Sequence, residues 1–287
     1  MALDRRAQKR KAQTLLSLHR GGDMLVLLNV WDPIGARILE KKGYPAIATA
    51  SAAQSASLGY QDGEKIRRAT VIDLIARVAR SVNIPVTADI EMGYGKSLTE
   101  LDETAEQVIE CEVVGVNLED GLKGGEGRRT LRGLEEQCRR IAKVRQVAER
   151  KGVPLVINAR VDAYLSLSTK EEAMEEAVAR AKLYSEAGAD CVYPIGPGDE
   201  ATIRILRDRI KGPINILASP SAAPLSVLRE LGVNRVSFGP FVFRSLLRKF
   251  VEIAEAVMVN GDYSILGEVM TDAQVSEFLR TDPEKAE

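Results

Sequence analysis

An α/β fold of the (β/α)8, TIM-barrel type is what the 287-residue sequence predicts, on three observations. Short β-branched runs alternate with longer helical stretches, eight such runs occur, and several of the stretches between them end in glycine just before the next run. Residues 1–20 are basic and amphipathic, and predict an opening helix; Asp4 and the scarcity of serine argue against a mitochondrial presequence. The eight runs are Met24–Leu28, Ala46–Thr49, Val86–Ala88, Gly115–Leu118, Leu155–Asn158, Cys191–Tyr193, Ile214–Leu217 and Arg235–Ser237. Between them, Leu98–Cys111, Glu135–Lys151 and Lys170–Ala187 carry helical apolar periodicity. Gly43, Gly188 and Gly232 stand where a left-handed helix cap is needed. Unbroken repetition of strand and helix implies parallel strands joined by right-handed crossovers. The alternative, a doubly wound sheet, would place a glycine-rich turn after the first strand. Here Leu28 leads instead into Asn29-Val30-Trp31-Asp32-Pro33. Residues 1–287 read as one domain, with 241–287 as a C-terminal helical extension longer than a closing helix requires. The surplus, including Tyr263-Ser264-Ile265-Leu266, is a candidate for packing on a neighbouring subunit.

Composition narrows the class. The chain is 45% hydrophobic and 28% charged with a formal net charge of −1, which suits a soluble domain with a large core. It disfavours nucleic acid and anionic membranes as partners. No apolar stretch approaches the roughly 18 residues of a membrane span. Cys111, Cys138 and Cys191 are too few and too scattered for a disulfide framework or a metal knuckle, and read as free thiols of a reducing cytoplasm. The single histidine, His19, falls in the opening helix. Proton chemistry is therefore left to carboxylates, tyrosine, lysine or water.

The most informative feature is acid at the ends of two neighbouring runs: Asp89-Ile90-Glu91 before Gly93, and Glu119-Asp120 before Gly121. Carboxylates pooled where buried strands end need a cationic neutraliser, and a hard divalent ion with retained waters supplies one. Asp89 and Glu91, two apart, would point the same way on a continuing strand, one binding the ion directly and the other through water. In a barrel the catalytic groups gather at the C-terminal strand ends. Those ends carry Asn29, Trp31 and Asp32; Thr49 and Ser51; Asp89 and Glu91; Glu119 and Asp120; Asn158, Arg160 and Asp162; and Tyr193. Arg160 suits a forked grip on a substrate carboxylate, and the small residues Ser51-Ala52-Ala53 offer backbone amides to an oxyanion. Trp31 and Asn158 are further candidate substrate contacts. The glycine-rich segment from Gly121 to Arg129 reads as a lid able to deliver Lys123 or an arginine.

Five motifs in order then resemble one family across nearly the whole chain: Asn29-Val30-Trp31-Asp32, Ser57-Leu58-Gly59-Tyr60-Gln61-Asp62-Gly63-Glu64, Asp89-Ile90-Glu91-Met92-Gly93-Tyr94-Gly95, Asn117-Leu118-Glu119-Asp120 and Asn158-Ala159-Arg160-Val161-Asp162. The chain resembles the phosphoenolpyruvate mutase/isocitrate lyase superfamily. That resemblance implies a magnesium-dependent barrel, with manganese able to stand in, acting on a small 2-oxo or 2-hydroxy carboxylate through an enolate-type intermediate. It implies a homotetramer built from helix-swapped dimers. By position it implies Asp89 as principal metal ligand, with Glu91 and Glu119 as ligands or holders of metal waters. Asp62 would hold another metal water, Ser51 with the amides of Ala52 and Ala53 would form the substrate carboxylate pocket, and Arg160 would touch the substrate's oxygens.

Departures from the pattern sort the reactions. The second acid is Glu91 where the family more usually has aspartate, and the lid segment Gly124–Arg128 has neither cysteine nor histidine. A cysteine-dependent lyase is thereby disfavoured, and so is the mutase, whose lid carries an asparagine that this one lacks. Decarboxylation of an oxaloacetate-like acid asks least of the lid and ranks first. Carbon–carbon cleavage or acyl hydrolysis of a substituted malate or oxaloacetate comes next, then phosphonopyruvate-type P–C chemistry. A catalytically silent 2-oxoglutarate binder is the non-enzymatic alternative. A sugar-phosphate enzyme is excluded, because Ala218-Ser219-Pro220 and Phe238-Gly239-Pro240 provide no phosphate cradle.

Overall fold

The computed structural model describes residues 4–280 apart from 124–128, and only the backbone of Lys123. The lid expected at Gly124–Arg128 and the Lys123 side chain thus lie outside the described residues. Helix α1 (Arg5–Arg20) starts at Asp4, whose carboxylate accepts the Arg6 and Ala7 N–H groups. The first apolar run divides around Leu28 into β1 (Leu25–Leu27) and β2 (Asn29–Val30). There follow α2 (Pro33–Lys41), β3 (Ile47–Thr49), α3 (Ser51–Ser57), α4 (Arg68–Arg80), β4 (Val86–Asp89), α5 (Leu98–Glu110) and β5 (Gly115–Glu119). An antiparallel hairpin, β6 (Gly121–Lys123) and β7 (Arg129–Leu131), stands where only a lid was expected. Next come α6 (Leu134–Arg150), β8 (Val156–Val161), α7 (Ala163–Ser166), α8 (Lys170–Glu186), β9 (Cys191–Pro194) and α9 (Glu200–Arg209). The chain finishes with β10 (Asn215–Leu217), α10 (Leu225–Glu230), β11 (Arg235–Ser237), α11 (Phe241–Asn260) and α12 (Asp272–Leu279).

Apart from the hairpin, every strand pairing is parallel. One sheet runs β2-β3-β4-β5-β8-β9 and another β1-β11-β10, with a parallel bridge from Val192 on β9 to Ile214 beside β10. All eight runs become strands, and the fifth continues three residues further, so Arg160 lies within β8 rather than beyond it. The helices form for local reasons as well. In α5 the Ser97–Glu100 capping box satisfies the first turn, and Leu101, Ala105, Val108 and Ile109 bury one face.

Helix α1 closes the N-terminal side of the strands. Gly115 opens β5 and has no room for a side chain: a Cβ would stand 2.8 Å from Leu15 Cδ2 and 2.9 Å from Thr87 Oγ1. The Leu15 carbonyl can only accept, so His19 Nδ1, 2.7 Å away, carries the hydrogen. His19 Nε2 then accepts from Arg235 Nη1 at 3.3 Å. Arg235 Nη2 donates to Asn117 Oδ1 at 3.1 Å, and Asn158 Nδ2 donates to the same oxygen at 2.8 Å. His19 and Arg235 are both fully buried. This polar spine ties α1 to β11, β5 and β8. His19, at the N-terminal side of the strands, serves as a neutral acceptor.

Burial, then Arg235, pushes the His19 pKa down to about 3 from 6.5. The unfolded chain therefore takes up a proton that the folded chain refuses between about pH 6.5 and 3, and stability falls with pH across that window. The expected contribution is up to about 1.4 kcal/mol per pH unit. Urea unfolding midpoints from pH 7 to 4 check it: His19→Gln should flatten the slope. Parallel slopes in the two proteins would remove His19 from the acid response.

Candidate active site

Register partners on parallel strands project to the same face. Glu119, Arg160 and Tyr193 are successive partners on β5, β8 and β9, and Asp89, Asn117 and Asn158 are partners one level below. The acids, the arginine and a tyrosine are thus gathered at one end of one sheet.

Asp89 closes β4. Its backbone N–H donates to Thr49 Oγ1 at 3.0 Å, which fixes the strand end. Its Oδ2 accepts the Ser51 hydroxyl at 2.7 Å and the Ser51 amide at 3.3 Å. The same hydroxyl lies 3.4 Å from Asp62 Oδ1, so Ser51 brings Asp62 and Asp89 together although they are 27 residues apart in sequence. The amides of Ala52 and Ala53 belong to the first turn of α3, where N–H groups have no acceptor within the helix.

Glu91 does not continue the strand. β4 ends at Asp89, and Glu91 takes the left-handed conformation with φ 49°, so the expectation of two acids pointing the same way is corrected. Glu91 Oε2 accepts the Glu64 amide at 2.8 Å, and Oε1 accepts the Tyr94 hydroxyl at 2.6 Å. The Tyr94 amide in turn donates to Glu64 Oε1 at 2.6 Å. Burial, then the adjacent Glu91, pushes the Tyr94 hydroxyl well up, and burial raises the Glu64 carboxyl.

Arg160 sits between two buried acids. Its Nη1 pairs with Glu119, while Nε and Nη2 bind Asp162 at 2.7 and 2.8 Å. Burial opposes its charge, but Glu119 and Asp162 more than offset this and hold it protonated. The bidentate grip foreseen for substrate is in this structure made on Asp162, leaving part of the fork for a ligand. Asp162 also accepts Arg129 Nη1 at 3.1 Å, and its amide donates to Asp120 Oδ1 at 2.8 Å. Asp120 is held beneath by the Tyr184 hydroxyl at 2.6 Å and Arg180 at 3.0 Å. Burial raises its carboxyl pKa. Tyr193 is buried beside Arg160 and hydrogen-bonds Ser237, and burial pushes its hydroxyl up. Asn158, foreseen as a substrate contact, is fully buried and its amide nitrogen is committed to Asn117. Trp31 packs edge-on against Phe243 with ring centroids 4.9 Å apart, which seats the first turn of α11 near the strand ends.

Among the described residues no three acid, cysteine or histidine side chains converge as a ready cage for a metal. The donor set is nonetheless all oxygen, with Asp89 and Asp62 meeting at Ser51. That suits a small hard cation held by one or two carboxylates and otherwise by water. The sequence reading did not give roles to Glu64, Tyr94 or Thr49. All three lay inside or next to recognised segments, but only their partners reveal what they do.

A family model described as phosphoenolpyruvate phosphomutase matches residues 15–258. A 2-methylisocitrate lyase from Halalkalibacterium halodurans is 28% identical, over 73% of this chain and 68% of its own. An oxaloacetate decarboxylase from Paraburkholderia xenovorans is 27% identical, over 75% and 70%. The crystal structure of a candidate phosphonomutase from Burkholderia cenocepacia J2315 superimposes with a TM-score of 0.80 at 34% identity, covering 86% of this chain and 98% of that one.

One glycine tests the arrangement. A Cβ on Gly121 would lie 2.4 Å from Asp162 Oδ2 and 2.7 Å from its Cγ. Gly121→Ala should displace Asp162, and with it Arg160, at a cost of about 1–3 kcal/mol read from denaturant midpoints. An alanine variant of wild-type stability would mean that Asp162 has room to move.

Proposed function

Since the chain belongs to the phosphoenolpyruvate mutase/isocitrate lyase superfamily, we propose that it is a magnesium-dependent lyase of small 2-oxo or 2-hydroxy dicarboxylates, with decarboxylation of an oxaloacetate-type acid as its reaction. One observation carries the reading: the Asp89–Ser51–Asp62 group stands beside the Glu119–Arg160–Asp162 group at the ends of neighbouring parallel strands. An oxaloacetate decarboxylase at 27% identity and a 2-methylisocitrate lyase at 28% are both relatives, and the lid sequence without cysteine or histidine supports the choice between their reactions. So does the placement of the thiols. Cys111 caps α5, Cys138 lies on α6 and Cys191 begins β9, and burial raises all three thiols, that of Cys191 to about 12, so none is a ready nucleophile for a cysteine-dependent cleavage.

Asp89 would hold the ion directly, with Asp62, Glu91 and Glu119 holding its waters. When bound, magnesium supplies Lewis acidity for the negative charge that develops on the 2-oxo oxygen. Arg160, kept charged by its two acids, faces the substrate's oxygens, and the Ala52 and Ala53 amides face its carboxylate. Ser51 keeps Asp89 oriented. With His19 at the opposite end, the returning proton falls to a phenol, a carboxyl group, the Lys123 amine or water.

The accompanying architecture is a closed (β/α)8 barrel, supported by pairings that lead from β2 around to β9, through Val192–Ile214, to β10, β11 and β1. The proposed assembly is a homotetramer of helix-swapped dimers in the cytoplasm. Helix α11 supports it, since it buries none of its residues and exposes Leu246, Phe250 and Met258. No helix among the described residues is long and apolar enough to cross a membrane.

Product release with magnesium and with a chelator tests the reading, followed as pyruvate from oxaloacetate, methylisocitrate, dimethylmalate and phosphonopyruvate and as glyoxylate from isocitrate. Chelator-sensitive turnover of oxaloacetate is expected. Turnover of another member would move the reaction to carbon–carbon or P–C cleavage, and silence with tight 2-oxoglutarate binding would make the protein a sensor. Asp89→Ala should abolish magnesium-dependent turnover with the fold intact; full activity would end the metal assignment. Arg160→Lys should weaken substrate binding by about 1.5–3 kcal/mol, read by titration, as loss of a charge-assisted fork does.

A further inference from the structure

Four non-glycine residues among those described have positive φ, and three of them meet here: Glu64 at 57°, Glu91 at 49° and Tyr94 at 50°. Side chains disfavour this region, and such residues persist only where their surroundings over-determine them. The surroundings here are one another. Glu64 donates its amide to Glu91 and accepts the Tyr94 amide on its own carboxylate, while Tyr94 reaches back through its hydroxyl to Glu91. The three bonds fasten two separate loops. One carries Asp62, two residues before Glu64; the other leaves β4 with Asp89, two residues before Glu91.

A second set of contacts holds the same turn from the other side. Arg140 Nη2 donates to the carbonyls of Met92 at 2.5 Å and Gly95 at 3.1 Å. Gly93, at φ 99°, makes that approach possible: a Cβ there would stand 3.1 Å from the Arg140 nitrogen and 2.5 Å from Leu101 Cδ1. The turn bearing Glu91 is therefore rigidly based, and the Asp62 loop is docked onto it rather than the reverse.

We infer that Glu64 and Tyr94 are positioning residues, a latch that sets the spacing of Asp62 from Asp89 and turns the longer acid Glu91 away from the strand line. The inference rests on the magnesium site proposed above. What the latch controls is how two carboxylates, both reaching Ser51, are presented to a cation. A glutamate at position 91 is longer than an aspartate by one methylene, and the two donors on its oxygens hold it in one place.

The full-length protein is titrated with Mn2+, reading the free ion by electron paramagnetic resonance, and then with Mg2+ in competition; thermal unfolding is followed in parallel. Asp89→Ala is the control for the site itself. Glu64→Gln keeps an acceptor for the Tyr94 amide and should bind Mn2+ within about twofold of wild type, while Glu64→Gly and Tyr94→Phe should weaken binding about tenfold, the usual effect of losing an outer-shell partner. Glu64→Gly relieves the positive φ, so it should melt no lower than wild type, and its loss of affinity could not be laid to unfolding. Wild-type affinity in both Glu64→Gly and Tyr94→Phe, with Asp89→Ala defective, would overturn the latch and leave the metal site standing. A Glu64→Gln variant as weak as Glu64→Gly would overturn it too, by making charge rather than acceptor geometry the cause. Wild-type protein that binds no Mn2+, or Asp89→Ala that binds as well, would overturn the magnesium site and the latch with it.

Discussion

Everything at the C-terminal strand ends depends on how crowded negative charge is neutralised. Glu91, Glu119, Asp120 and Asp162 are all nearly or fully buried, and Asp89 is partly buried. Unpaired, such a set would be costly, because each buried carboxylate loses the water that stabilised it. The chain assigns each one a donor. Arg160 serves Glu119 and Asp162 together, Tyr184 and Arg180 serve Asp120, Tyr94 serves Glu91, and Ser51 serves Asp89. Asp89 and Asp62 share a serine hydroxyl, and they are the pair to which the proposed function assigns the cation.

The opposite end of the strands is built on the contrary principle. There the buried charge is the Arg235 cation, and it donates to neutral acceptors: a histidine nitrogen and an asparagine oxygen. Burial lowers the Arg235 pKa accordingly. Such polar spines are directional, because each bond fixes an angle as well as a distance. Asn117 joins the two ends, because it accepts from Arg235 and Asn158 and lies level with Asp89 across the sheet. A rigid floor under the acids keeps their separations constant, which a site working through fixed charges requires.

The eight runs, the glycine caps and the order of acids were all legible in the sequence, because strand and helix periodicities are local properties and a carboxylate after a buried run has few innocent explanations. The hairpin of β6 and β7 was not, since its two arms are three residues each and are separated by glycines that hide any alternation. The direction of Glu91 was misread for a related reason: strand parity predicts side-chain direction only while the strand lasts, and β4 stops at Asp89. Arg160 was found, but its partners were only partly foreseeable. Asp162 is two residues away, just past the end of β8, whereas Glu119 comes from the neighbouring strand.

By itself, then, the sequence determined the kind of molecule: an α/β chain of parallel strands, its acids on adjacent strand ends, and membership in a superfamily of small-carboxylate enzymes. These follow from spacing along one dimension, which periodicity and motif record directly. Only the tertiary structure decided which groups meet. Ser51 with Asp62 and Asp89, Glu64 with each of Tyr94 and Glu91, and His19 with Arg235 join residues separated by 11 to 216 positions. Such meetings are set by strand register and by strained turns. Neither leaves a local trace, because both arise from the cooperative packing of segments whose separation the linear order does not encode.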